Sequence, residues 1–357
     1  MKYPKRFGWQ KYLFELLMRP TLKDIAQESG FSITTVSRAL AGYEDVSEDT
    51  RRQILDIAEK IQYQPNQIAR QLQGKRTNTI GLVVPAPQHD SADDVFSLML
   101  KGITYAAARR EYDVLVSAPL HHELDVYRRL VGGHRVDGMI IARLTVDDPR
   151  IYYLQKMKHP FIAFGRRSPE HESNFPHIDV DGYAGIKTLC DHFIELGHRH
   201  IALILPPENV TFTAYRLHGY QDSLREADLP YREVYVIYGD LTAAGGADAA
   251  HHLLTHFTEI TAIIGCNDWM ALGAMTAIEQ RQLRVGADVA VGGYDDIPAA
   301  AHASPPLTTL RQPIYELGEM LTESLISIIH DEDPTMRLSS LIQPELVIRA
   351  SSGGVRN

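Results

Sequence analysis

Between positions 21 and 63, apolar residues recur every three or four positions, with turn formers breaking the pattern at short intervals. Leu22, Ile25 and Ala26 make one face of a first helix, with Thr21 as N-cap candidate and Asp24 three residues on. Gly30 breaks it. Ser32 can cap a second helix with Ile33, Val36 and Leu40 as its apolar stripe, and Gly42 ends that one. Ser47 opens a third helix, in which Thr50, Ile54, Ile57, Ala58 and Ile61 fall at helical spacing before Pro65. A short polar helix is predicted over 66–73, capped by Asn66. Gly74-Lys75-Arg76-Thr77-Asn78 then reads as linker.

From residue 79 the period changes. Ile80-Gly81-Leu82-Val83-Val84 is a continuous apolar run, as in a strand buried on both faces. Further runs occur at 114–116, 139–141, 161–164, 201–204, 234–237, 262–264 and 289–291. Helical stretches such as 98–111, 182–196, 216–227, 243–256 and 269–281 lie between them. Alternating strand and helix implies an α/β architecture with parallel sheets, and eight or more strands suggest two of them. Ligands of such sheets sit outside the carboxyl ends of the strands. Polar residues just after strands are therefore the pocket candidates.

Charge divides the chain at the same place. Residues 1–76 carry 13 Lys and Arg against 9 Asp and Glu, a balance of +4, whereas residues 77–357 balance at −13, giving −9 overall. A basic N-terminal fifth can attract phosphates, while an acidic body limits non-specific adhesion to nucleic acid. Two cysteines, Cys190 and Cys266, cannot make a disulfide framework, which fits a reducing cytoplasm. No apolar run reaches the roughly 18–20 residues needed to span a bilayer. Residues 1–20 are an extension. Glu15 interrupts its short apolar core and no cleavage site follows, against a signal peptide. Met18 leads directly into the first motif, so Met1 and Met18 both stand as starts.

Helix, glycine turn, helix is the layout of a helix-turn-helix, whose second helix places its first residues at base edges in the major groove. Here those are Ser32, Ile33, Thr34 and Thr35. Ile33 can touch a thymine methyl, and Arg38, one turn on, can grip a guanine with both ends of its fork.

The motifs Thr21-Leu22-Lys23-Asp24-Ile25-Ala26, Gly30-Phe31-Ser32, Thr35-Val36-Ser37-Arg38-Ala39-Leu40, Val46-Ser47, Thr50-Arg51 and Tyr63-Gln64-Pro65-Asn66 occur together at fixed spacings. This segment resembles the DNA-binding domain of the lac-repressor/galactose-repressor family of bacterial transcriptional regulators. The resemblance implies base contacts from Ile33, Thr34 and Arg38, and backbone contacts from Ser32, Thr35, Ser37 and Asn66. Residues 66–73 resemble the family's hinge helix, with Leu72 at the position of the minor-groove wedge and Ala69 small enough to let two such helices approach.

The resemblance continues through Thr79–Pro85, Leu196–Ile201, Arg216–Tyr220, Asn267–Gly273, Gly293–Ile297 and Pro306–Thr309. It implies two Rossmann-like lobes of periplasmic-binding-protein type. The expected organisation is a helix-turn-helix domain at 21–65, hinge and linker at 66–78, and an effector and dimerisation domain at 79–350. Within the last, lobe 1 covers about 79–178 and 311–340 and lobe 2 about 182–306 and 344–350, with crossovers near 178–182, 306–311 and 340–344. Matched motif to motif, the implied ligand contacts are Phe96, Arg166, Arg216, Asn267 and Asp295. Arginine forks and a carboxylate give directional bonds to hydroxyls, and Phe96 or Trp269 can cover a sugar's apolar face.

Two departures limit what carries over. Residues 88–95 lack the Asn-Pro-aromatic pattern common there. Gly165-Arg166 stands where some sugar-responsive members carry a carboxylate, which suits a disaccharide or an anionic effector.

The function so implied is a cytoplasmic repressor, a homodimer or tetramer on a palindromic operator, whose DNA affinity follows a small effector. A sugar is favoured and a purine is the alternative. The last residues, 350–357, hold no heptads, which favours the dimer. A transporter-feeding binding protein shares the fold but not the DNA-reading segment. An enzyme is opposed by the lack of a Gly-x-Gly-x-x-Gly, a Walker loop or a nucleophile elbow. No cofactor is expected. His252 and His256 could share a helix face, more in the manner of solvated histidines than of metal ligands.

Overall fold

The computed structural model describes residues 20–40, 42–43, 45–63, 76–84, 94–331 and 339–354. Asn66, Ala69 and Leu72 of the hinge segment, the 1–19 extension, residues 88–93 and the last three residues lie outside them. The chain divides into two units, Met1–Arg76 and Thr77–Asn357.

In the first unit, Asp24 accepts both the N–H (2.6 Å) and the hydroxyl (2.8 Å) of Thr21, so α1 (Leu22–Ser29) starts where the sequence places its cap. Gly30 ends it with φ +77°, a left-handed conformation that glycine adopts without steric cost. α2 (Ile33–Leu40) begins with Ser32 Oγ accepting the Thr35 N–H at 3.0 Å. α3 (Glu48–Lys60) begins with Ser47 Oγ accepting that of Thr50. Ile25, Val36, Ala39, Val46, Ile54 and Ala58 close a small core between the three helices.

The second unit carries two sheets. Thr77 and Asn78, expected to be linker, are fixed: three of their donors converge on the Asp137 carboxylate at 2.7–2.9 Å. The first lobe then runs through β1 (Thr79–Val83), α4 (Asp94–Arg109), β2 (Asp113–Ser117), α5 (Glu123–Gly132), β3 (Gly138–Ile141), α6 (Pro149–Met157), β4 (Phe161–Phe164) and β5 (His177–Val180). The second lobe comprises α7 (Gly182–Glu195), β6 (Ile201–Leu205), α8 (Thr211–Glu226), β7 (Val236–Tyr238), α9 (Ala243–His256), β8 (Ala262–Gly265), α10 (Asp268–Gln280), β9 (Ala290–Asp295), α11 (Pro298–His302) and β10 (Thr308–Arg311). α12 (Ile314–His330) and β11 (Ser339–Ile342) return to the first lobe, and β12 (Glu345–Val347) ends in the second.

The strand orders are β11-β5-β4-β3-β1-β2 and β12-β10-β9-β8-β6-β7. All pairings are parallel except β10 with β12. In both sheets the first strand lies between the second and the third, so each lobe has its own switch point. β1 shows why the strands read as unbroken apolar runs: Ile80 and Leu82 face the α4 and α12 side, while Val83 faces α5 and α6.

Two expectations are corrected. The crossover expected at 306–311 is a strand, β10, so the chain recrosses between Arg311 and Ile314. Its threonines hid it: Thr308 Oγ1 donates to the Arg349 carbonyl at 2.8 Å and Thr309 Oγ1 to Asp268 at 2.5 Å, roles that no apolar run signals. The strand expected at 234–237 begins only at Val236, because Glu233–Tyr235 winds into a 3-10 turn that buries the Tyr235 ring and leaves Val234 exposed.

Candidate functional site

On α2 the buried residues are Val36 and Ala39, which turns Ser32, Ile33, Thr34 and Arg38 outward together. Thr35 and Ser37 are half-buried. The Ser32 and Thr35 hydroxyls lie 2.8 Å apart, so the residue that caps the helix also sets the reach of its first turn. Ile33 is 45% exposed, an apolar side chain with no core to join. The Arg38 guanidinium pairs with Asp45 and lies 5.0 Å from the Tyr43 ring centre. Both neighbours hold the fork on the outer face.

In the second unit the carboxyl ends of both sheets converge on one cavity of about 490 Å³. Val84, Arg143 and Phe164 follow or end strands of the first lobe, and Asp179 is next to last in β5. Leu241, Asn267, Asp295 and Gln312 follow or end strands of the second. Phe96 enters from α4, and Phe212 and Arg216 from α8.

Arg216 is the polar centre. It is buried, with its guanidinium 3.9 Å from the Tyr294 ring centre and 4.5 Å from that of Phe212. It donates to the Cys266 carbonyl, and its buried Nε has no partner. Gly182 makes room for it: a Cβ there would sit 3.3 Å from Arg216 Cγ. Among the described residues no carboxylate stands within ion-pair distance of this arginine. The indole N–H of Trp269 is a second buried donor without a partner on the same wall. Asn267 caps α10 through Met270 N–H (2.8 Å) and donates to the Leu241 carbonyl (2.9 Å). Asp295 is held at φ +124°, a strained conformation for a residue with a side chain, and accepts from Gln312 at 2.6 Å. Asp268, buried beneath it, fixes the turn by accepting the Ile297 N–H at 2.8 Å.

The cavity wall thus unites Phe96, Arg216, Asn267 and Asp295 of the residues drawn from sequence. Arg166 is not on it. Its guanidinium turns aside to bond Asp179 (3.1 Å), approaches Asp181 (3.6 Å) and stacks 3.9 Å from the Tyr215 ring centre. Arg166 therefore bears on the cavity through Asp179. Sequence reading did not name Asp179, Gln312, Phe164 or Phe212. Asp179 lies inside β5, next to its last residue, where the rule of looking just after strands does not reach and where His-Ile-Asp-Val is no apolar run, and Gln312 follows β10, which that rule finds only once the strand is known. His252 and His256 stack with ring centres 4.2 Å apart, and no metal-binding cluster stands out among the described residues.

Burial pushes the Asp179 carboxyl up to about 6, against the opposing pull of Arg166 and Arg216. A carboxyl raised in the folded state adds stability below its unfolded value, and that stability is lost as pH rises through about 6. Asp179→Asn removes the buried charge. The melting temperature of the variant is expected to gain on wild type between pH 4.5 and 7.5 by the equivalent of about 2 kcal/mol. Parallel curves in calorimetry across that range would show that Asp179 is ionised in place without penalty. Cys266, wholly buried in the core of the second lobe, is pushed up to about 12, far from thiolate chemistry.

Residues 21–66 match the family described as bacterial regulatory proteins, lacI family, and residues 190–352 match the periplasmic binding protein-like domain. The HTH-type transcriptional regulator CelR of Thermobifida fusca is 32% identical over 338 residues, 93% of this chain and 98% of that one. The solved CelR–cellobiose complex superposes with a TM-score of 0.72 at 31% identity, covering 93% of this chain and all of the other. The lac repressor dimer bound to operator and the anti-inducer ONPF gives 0.80 at 27% identity, over 94% of this chain and all of that one.

Proposed function

The chain belongs to the lacI family of bacterial regulatory proteins and is a DNA-binding transcriptional regulator; from that premise we propose that it is a repressor whose operator affinity is set by a sugar or glycoside held between its two lobes. The observation that carries this reading is Arg216. A buried guanidinium that spends one donor on the Cys266 carbonyl, with an unpaired Nε and, among the described residues, no facing carboxylate, is left to find further acceptors in a ligand. A polyol offers them, Asn267 and Asp295 add directional partners, and Phe96 and Trp269 offer apolar faces. The cellobiose complex of CelR supports a glycoside.

The regulator works in the cytoplasm as a homodimer. Each α2 reads one half-site of a palindrome, a reading supported by the operator-bound dimer of the lac repressor. The effector acts by linkage, binding one arrangement of the lobes better than another.

A thermal-shift panel on the full chain, spanning mono- and disaccharides, sugar phosphates, nucleosides and purines, tests the ligand class. At a hundred times its dissociation constant the effector adds about 2.7 kcal/mol, a shift of several degrees. A shift with purines alone overturns the sugar. On the DNA side, Arg38→Ala is expected to weaken binding to the cognate operator by about 1–3 kcal/mol and to relax one base position. Equal weakening on random duplex, measured by anisotropy at one salt concentration, would make Arg38 a phosphate contact instead.

A further inference from the structure

Besides three covalent crossovers, the two lobes share a fourth connection, made of main chain. Thr145, just after β3, and Val210, just before α8, form an isolated antiparallel bridge. The Val146 N–H donates to the Asn209 carbonyl at 2.9 Å, and the Thr211 N–H to the Leu144 carbonyl at 3.1 Å. Neither loop belongs to a sheet, so no sheet ladder extends into this pairing.

Both loops are nevertheless built for it. On the first lobe the Asp148 carboxylate accepts the Thr145 N–H (3.1 Å), the Arg150 N–H (2.9 Å) and the Arg150 guanidinium (2.8 and 2.5 Å). Arg150 reaches on to Glu123 (2.7 Å) and to the carbonyls of Ala142 and Arg143. Asp148 and Arg150 are both buried. Buried ion pairs contribute little net stability against apolar replacements, so a cluster this elaborate points to a geometry that it specifies. On the second lobe the Val210 N–H and the Thr213 hydroxyl both donate to the Pro207 carbonyl, at 3.1 and 2.9 Å. Tyr215 adds a side-chain contact across the same divide, its hydroxyl donating to the Arg167 carbonyl at 2.8 Å.

Leu144 and Thr211, the ends of the bridge, line the central cavity and also a second cavity of about 400 Å³ walled by Tyr152, Gln155 and His171. The bridge is therefore the partition between the two spaces. We propose that it is a latch: it fastens the lobes closed and sets how long an effector stays, with Asp148 and Arg150 as the residues that position it. The residence role rests on the effector-sensing reading above, whereas the latch itself does not.

Thr211→Pro tests this with little collateral change. Thr211 is the first residue of α8, where proline's missing N–H costs no intrahelical bond, and Val210 before it is already extended (φ −91°, ψ 130°). Thr211→Val, which keeps the N–H and loses the hydroxyl, is the control. Amide hydrogen exchange is followed on the full chain without ligand. The Val146 amide is expected to exchange roughly tenfold faster in Thr211→Pro than in Thr211→Val, while the amides of β8 stay unchanged. Asp148→Asn is expected to quicken the same amide. In stopped-flow with cellobiose as probe, dissociation is expected to be roughly tenfold faster in Thr211→Pro. Equal Val146 exchange in the two Thr211 variants overturns the latch. If cellobiose binds neither variant nor wild type, that sugar fails as effector, and the exchange data still decide the latch.

Discussion

Arg216→Leu is expected to abolish the response to effector while leaving operator DNA bound as tightly as before. Among the described residues the guanidinium is the one buried cation on the cavity wall and touches no carboxylate, and its Nε is unpartnered. A hydrogen bond from a charged donor to a ligand contributes about 1.5–3 kcal/mol, and loss of a two-bond fork lowers effector affinity at least about hundredfold. Leucine fits between the Phe212 and Tyr294 rings and removes a desolvated charge, so the fold should melt within a few degrees of wild type. Calorimetric titration with the active sugar gives the first number and operator anisotropy the second. Undiminished sugar affinity would remove Arg216 from the ligand's partners, and lost operator affinity would mean that the arginine acts on DNA binding without any ligand.

Gly273→Val is expected to have the largest effect on stability. α9 and α10 cross at two glycines. A Cβ at Gly273 would stand 1.9 Å from the Ala243 carbonyl oxygen, and one at Gly246 would stand 2.2 Å from that of Met270. Both obstacles are backbone, so no rotamer change relieves them and the helices must separate. Overpacking of this kind costs about 3 kcal/mol or more, roughly 6–12 °C in melting temperature for a lobe of this size. The separation also moves Asn267 and Trp269 at the start of α10, so effector affinity falls with stability. A thermal melt within 2 °C of wild type would mean that the two helices slide apart freely, contrary to their close approach at Gly246 and Gly273.

Gly273 lies in Asn267-Asp268-Trp269-Met270-Ala271-Leu272-Gly273, a motif visible in the chain, yet the reason for its glycine is the carbonyl of a residue thirty positions earlier. Arg216 is legible from its motif, and the structure places it on the cavity wall. Arg166, marked in the same way, turns out to face Asp179 and Tyr215, because a long flexible side chain goes to the nearest acid and aromatic face, and neither is adjacent in sequence. Asp179, the acid that holds it, went unnamed since its strand has no apolar signature.

What the sequence determined by itself is what depends on neighbours a few residues apart. Caps at Thr21, Ser32 and Ser47, the left-handed turn at Gly30, and the outward face of Ile33, Thr34 and Arg38 follow from helical periodicity and local hydrogen bonding. The apolar runs likewise fixed most strands and the two-sheet architecture, because a strand covered on both faces must be apolar throughout. The tertiary structure alone decided what depends on distant partners: the strand at Thr308–Arg311, whose hydroxyls bond Arg349 and Asp268; the direction of Arg166; and the bridge between residues 144–146 and 209–211. That bridge is made by backbone N–H and carbonyl groups, which every residue carries, so no choice of side chain announces it.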